Sequence, residues 1–284
     1  MNIARNLICS FLTTALSTGL LAMDHLHASD SAKENEASHS ATKPGELYLP
    51  SENAMADVSK AIETAQENSK LVLVVMGANW CHDSRAMASR LYEAPLDTLI
   101  TEHYETVFVD VGYLEKGKDV ITSLGSPVYY ATPTVLIVDP ASGEVINARN
   151  RHQWADAASI SMQVSIDYFQ QMANTDLRAP QDSKNASARL QQLLLEIDAF
   201  EQLQADHLYA AYAVLGPMLR AYKDGDKEAF SESHWNEVRD FRYQVPKDID
   251  SLRSEANKRV LAGETDIELE YPVYPAFSWE NHIR

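Results

Sequence analysis

The chain has 284 residues, 45% of them apolar and 23% charged, with ten glycines and eleven prolines. That profile excludes collagen-like, low-complexity and disulfide-scaffold classes and allows one or two domains with a substantial core. Asp and Glu outnumber Lys and Arg by 41 to 24, a formal charge of −17, which repels phosphate backbones and argues against nucleic acid as a partner.

The first 28 residues read as a secretory signal. Arg5 supplies a positive start, residues 7–23 are uncharged and mostly apolar, and Leu26-His27-Ala28 offers a cleavage site before Ser29. A membrane anchor needs about 20 strongly apolar residues, whereas Ser10, Thr13, Thr14, Ser17 and Thr18 dilute this run. The sequence therefore predicts an exported protein with no stable membrane insertion, periplasmic in a Gram-negative cell and otherwise secreted. Cleavage removes Arg5 and Asp24 together, so the charge stays at −17, and it removes Cys9, leaving Cys81 as the single thiol. Oxidising compartments favour paired cysteines, so a lone one there is either buried and inert or present for its chemistry.

Residues 29–50 are rich in Ser, Ala, Glu and Lys and read as a disordered linker. Residues 51–69 have helical composition and precede an unbroken apolar run at 71–76, the length of a buried strand. Residues 81–103 leave room for one broken or two short helices. Further β-rich runs follow at 106–111 and 134–138, and a turn cluster at 139–144 leads into a fourth run at 145–148, which predicts a hairpin. Trp154, Ile160, Val164 and Tyr168 then fall near helical spacing over 153–172. The strand–helix–strand start favours a parallel pair and the hairpin adds antiparallel strands, so the expected class is α/β with a mixed sheet.

The last third is different in character. Residues 183–263 contain no strand pattern. Leu190, Leu193, Leu194, Ile197 and Phe200 share one helical face, and Leu208, Ala211, Leu215 and Leu219 share the next. Gly216-Pro217 is expected to kink or interrupt that second helix, and Asp224-Gly225-Asp226 is a stop before another. The aromatic tail (Tyr271, Tyr274, Phe277, Trp279) is expected to dock on the body, with partner binding as the alternative. The expected organisation is a signal over 1–28, a linker over 29–50, an α/β domain over 51–175 and a helical extension over 176–284.

The chemistry centres on Cys81. In the string Gly77-Ala78-Asn79-Trp80-Cys81-His82-Asp83-Ser84-Arg85 it follows a buried strand and opens a helix, where a thiol meets unpaired backbone N–H groups and the positive end of the helix dipole. A protonated His82 would add to that field; Asp83 would oppose it. Some fifty residues on, Thr132-Pro133-Thr134 places a proline immediately before a strand.

A strand, then Trp80-Cys81-x-x-Ser84 at a helix start, then Thr132-Pro133-Thr134 before a hairpin and helix, resembles the thioredoxin fold over about residues 51–175. The resemblance implies a mixed central sheet flanked by helices, with an all-helical C-terminal extension beyond it. It puts Cys81 in the place of the attacking cysteine and Pro133 in the place of the cis-proline beside it. Thr132 and Trp80 would then line the substrate groove. It also implies protein or small-molecule thiols and disulfides as partners. Two departures stand out. Ser84 occupies the position of the second cysteine, so a mixed disulfide at Cys81 has no internal thiol to resolve it; Ser84 could hydrogen-bond the sulfur but not close a disulfide. Val75 stands where thioredoxins often carry a buried acid.

These features point to a CxxS monothiol oxidoreductase or isomerase, with Cys81, His82 and Ser84 at the reacting centre and Trp80, Thr132 and Pro133 at the substrate. It would need no resident cofactor or metal, with glutathione as a candidate external thiol. The alternative is a non-catalytic binding module in which Cys81 is inert and the helical extension is the partner surface. A thiol peroxidase lacks its expected Thr-x-x-Cys pattern here. The nine histidines (His25, His27, His39, His82, His103, His152, His207, His234 and His282) show no metal-ligand spacing. Neither a phosphate loop nor a Gly-x-Ser-x-Gly elbow is present. Asn185-Ala186-Ser187 fits a short glycosylation pattern that also arises by chance, and Glu228 with Glu232 reads as a solvated helix face.

Overall fold

The computed structural model describes residues 47–148, 151–175 and 187–280. These all belong to one contact unit, residues 41–284. The signal over 1–28, all but the last four residues of the linker over 29–50, and Asn185 lie outside the described residues.

Strand β1 (Leu71–Gly77) is buried along nearly its whole length. It pairs in parallel with β2 (Tyr104–Asp110) and antiparallel with β3 (Thr134–Val138), giving a three-stranded sheet of order β2-β1-β3. Because side chains alternate along a strand, Val72, Val74 and Met76 enter one core while Leu73 and Val75 enter another. The second core is closed by α2 (His82–Leu91), α3 (Leu96–His103) and α5 (Met162–Ala173), around the fully buried Trp154. The first is closed by α1 (Ala54–Asn68) and α4 (Lys118–Ser123), and it continues without a break into α6 (Ala188–Asp224) and α7 (Glu232–Leu261). The helical C-terminal region thus shares a core with the sheet.

The hairpin expected at 145–148 does not form as a strand. Val145 makes a single bridge to Val138, and Ile146 N–H donates to the Ile137 carbonyl at 2.8 Å. Beyond that, the Asn147 side chain takes over the role of a neighbouring strand. Its Oδ1 accepts from Ile137 N–H at 2.8 Å and its Nδ2 donates to the Val135 carbonyl at 2.9 Å. The segment expected as one helix over 153–172 is a 3-10 helix (Arg151–Ser159) followed by α5, whose first turn is capped by the Ser161 hydroxyl.

The C-terminal region also departs from its pattern. The two leucine faces expected on successive helices lie on one 37-residue helix, α6, which runs through Pro217 and ends on Gly225 in the left-handed conformation. Proline removes one intrahelical donor, and next to it Gly216 lets the Tyr113 carbonyl press against the helix where a Cβ would collide. The tail docks across both helices. Glu280 holds His207 at 3.0 Å, Ser278 donates from N–H and hydroxyl to Glu237 at 2.7 Å each, and Tyr274 donates to Asp248 at 2.6 Å. Among the described residues no helix is long and apolar enough to cross a membrane.

Two outcomes follow from this packing. Leu208 of α6 is fully buried in the core shared with the sheet, so Leu208→Ala should cost about 2–5 kcal/mol. Denaturant unfolding followed by both fluorescence and circular dichroism should still show one transition; two separate transitions would contradict the shared core. Burial also raises the phenols of Tyr104 and Tyr129 and pushes that of Tyr212 up to about 12. The unfolded chain ionises tyrosine near about pH 10, so above that pH it binds fewer protons than the native state. The stability from these neutral phenols is therefore full below pH 10 and lost as pH rises beyond it. Tyr104→Phe should flatten that alkaline loss in a pH series of melting curves, and an unchanged alkaline limb would count against it.

Candidate active site

The site is built on the turn between β1 and α2. Gly77 ends the strand with no side chain because there is no room for one. A Cβ there would lie 2.6 Å from Ser84 Oγ and 2.7 Å from the Tyr48 ring. Asn79 holds the turn from one side, its Nδ2 donating to the Tyr48 carbonyl at 2.9 Å and its Oδ1 accepting from Tyr48 N–H at 3.3 Å. Arg85 donates to the Asn79 carbonyl at 2.7 Å. From the other side Trp80 Nε1 donates to the Gly112 carbonyl at 2.7 Å, and the indole stacks on Tyr113 and meets Trp235 of α7 edge-on.

Cys81 is the N-cap residue of α2, yet its side chain makes no capping hydrogen bond. Ser, Thr, Asp and Asn occupy this position when capping is the purpose, and α1, α5, α6 and α7 here use Asn53, Ser161, Ser187 and Ser231 in that way. The Cys81 sulfur instead faces Thr132. It donates to the Thr132 carbonyl at 3.1 Å and accepts from the Thr132 hydroxyl at 3.4 Å. The Thr132–Pro133 peptide bond is cis. Cys81 is half-buried, whereas Thr132 and Pro133 are buried.

The other residues singled out from the sequence are distributed unevenly around this contact. His82 is the first residue of α2 and exposed, and among the described residues no hydrogen bond joins it to Cys81. Ser84 is fully buried and its hydroxyl finds no hydrogen-bond partner, the thiol included, while its carbonyl accepts from Tyr48 at 3.0 Å. Asp83, expected to oppose the helix dipole, accepts from the Ala158 backbone N–H at 3.0 Å. Cys81 and Thr132 come together, with Pro133 next to Thr132 in the chain, while the Trp80 indole turns to Gly112, Tyr113 and Trp235.

Three contributors were missed from the sequence. Tyr48 falls in the segment read as linker, yet it is buried, and burial, helped by the neighbouring Cys81 charge and only partly offset by a hydrogen bond to Ser84, holds its phenol above the ordinary tyrosine range. The apolar cluster Leu47-Tyr48-Leu49 inside a polar stretch was the available signal. The other two are helical-region residues with no local signal. Tyr212 donates to the Tyr129 carbonyl at 2.8 Å, and Arg242 Nε donates to the Tyr130 carbonyl at 2.6 Å.

A family model described as thioredoxin-like matches residues 53–140. Among solved structures, the chain is similar to the disulphide isomerase from Xylella fastidiosa Temecula1, with 30% identity and a TM-score of 0.42, over 45% of this chain and 96% of that one. No curated protein matches the chain. The matched residues include β1, the Cys81 turn, the Thr132–Pro133 contact and β3, in the mixed sheet that the fold requires. Residues 53–140 are thioredoxin-like.

Proposed function

We propose that Cys81 is the nucleophile of a monothiol thiol–disulfide exchange, carried out by an exported protein on protein or small-molecule disulfides. The observation that carries this reading is the placement of its sulfur. It sits half-exposed at a helix N-terminus, unused for capping and turned toward the Thr132 carbonyl and hydroxyl. A purely structural cysteine gains nothing from that position.

The chemistry balances as two exchanges. The Cys81 thiol loses its proton to water and its thiolate attacks one sulfur of a client disulfide. The client S–S bond breaks, a Cys81–client mixed disulfide forms, and the displaced client sulfur leaves as a thiolate and takes a proton. A second thiolate, from the same client or from an external thiol such as glutathione, then attacks the client sulfur of the mixed disulfide. Attack by a client thiolate forms a client disulfide, attack by the external thiol leaves that thiol joined to the client in a new mixed disulfide, and in both cases Cys81 leaves as the thiolate. Disulfides are rearranged rather than reduced, which suits a chain with Ser84 where a resolving thiol would stand. Thr132 and Pro133, with Trp80 at the flank, form the edge along which the client chain lies in this reading. His82 acts only through its charge when protonated. Residues 1–28 are the export signal, placing the protein in the periplasm of a Gram-negative cell or outside other cells.

The binding-module alternative is favoured by Leu195 and Leu203, 68% and 66% exposed on α6. It expects client capture that survives Cys81→Ala and is lost when both leucines become aspartate. The redox reading expects the reverse: mixed disulfides with a scrambled model protein, trapped by acid and seen by mass spectrometry, vanish in Cys81→Ser. Capture of the same clients by Cys81→Ser would overturn the covalent mechanism. A second outcome concerns Ser84→Cys, which should gain insulin-reducing turnover that the natural chain lacks. Absence of any gain would show that the missing second thiol is not what limits dithiol chemistry.

A further inference from the structure

The edge of the site formed by residues 129–133 is held from outside the thioredoxin-like domain. Tyr212 of α6 donates to the Tyr129 carbonyl at 2.8 Å, and the two rings stack with centroids 5.4 Å apart. Arg242 of α7 donates through Nε to the Tyr130 carbonyl at 2.6 Å while its guanidinium lies over the Tyr212 ring at 5.6 Å. Tyr130 itself reaches Glu201 of α6, which Arg253 of α7 binds at 2.9 Å. On its inner side Tyr129 donates to the Leu114 carbonyl at 3.0 Å. Two consecutive backbone carbonyls, two and three residues before Thr132, thus take their donors from a region beyond residue 140, where the family match ends.

The geometry points to Tyr212 and Arg242 as positioning residues for the site: they fix the 129–130 backbone and thereby hold Thr132 against the Cys81 sulfur. The helical region is then a splint for the reacting edge as well as a cover for the sheet. The chemistry of the donors suits that role. A buried carbonyl left without a donor is costly, and guanidinium keeps its charge at any working pH, so its bond does not switch off. Tyr212 is fully buried and its phenol is held above the ordinary range by burial, so it too remains a donor. Removing the two donors should loosen one edge and leave the sheet in place.

The functional half of this inference rests on Cys81 being the nucleophile; the structural half does not. The test uses the full chain with Arg242→Met, which keeps the stem over Tyr212, Tyr212→Phe, which keeps the ring stack, and Arg242→Lys as the conservative variant. Hydrogen exchange at the amides of residues 128–132 should rise about tenfold in the first two variants, with α5 amides unchanged. Arg242→Lys should recover part of the protection. Mixed-disulfide formation at Cys81 with a disulfide-bonded peptide should slow about tenfold in both variants, while reaction with dithiodipyridine, which needs no groove edge, should change by less than about threefold. Unchanged exchange over 128–132, or an equal rise throughout the chain, would overturn the positioning role. So would equal slowing with both reagents. If Cys81 of the natural chain reacted with neither reagent, the proposed function would fail, and the exchange result alone would still decide whether the two donors hold the loop.

Discussion

Burial of β1 on both faces is the constraint from which the architecture follows. A strand whose odd and even residues are both apolar cannot lie at a surface, so it needs a layer of helix on each side. Leu73 and Val75 obtain theirs from α2, α3 and α5. Val72, Val74 and Met76 obtain theirs from α1 and α4, and that core extends outward into α6 and α7. The same strand ends at Gly77, where lack of a side chain lets Ser84 and Tyr48 pack beneath the turn that presents Cys81. Fold and site therefore share one origin in the sequence.

The Cys81–Thr132 contact is held from three directions. Asn79 and Tyr48 lock the turn before Cys81, Trp80 ties it to the loop at Gly112 and to Trp235, and Tyr212 and Arg242 hold the backbone that carries Thr132. The hydrogen-bonded ties give partners to backbone carbonyls at Tyr48, Gly112, Tyr129 and Tyr130. Each also restricts where the sulfur and its neighbouring edge can go. The Ser84 hydroxyl is the exception, buried with no partner in a space that Gly77 keeps open.

What could be read from the sequence was local. The β1 run, the two later strands, the helix start at Cys81 and the proline before β3 all carry short-range signals of periodicity or backbone preference. Asn147 defeated that kind of reading because a buried side chain stands in for a strand, and no alternation of residues announces it. α6 runs on through Pro217 with the Tyr113 carbonyl against Gly216 and Glu115 paired with Arg220, contacts distant in sequence. Tyr48, Tyr212 and Arg242 act over 31 residues or more along the chain. Such contacts arise from the packed fold and leave no pattern in the neighbouring residues. The thioredoxin-like core was legible for this reason, and the grip of the helical region on it was not.

The central claim is that the Cys81 sulfur is presented for reaction, and native-state labelling tests it most directly. The full chain is treated with iodoacetamide at neutral pH, and modification is followed by mass spectrometry on the Cys81 peptide, which separates it from Cys9. The account predicts that Cys81 in the folded chain labels at least as fast as in the same chain unfolded in denaturant. Labelling that appears only on unfolding would contradict it, and Cys81 would then be an inert thiol within a thioredoxin-like binding protein.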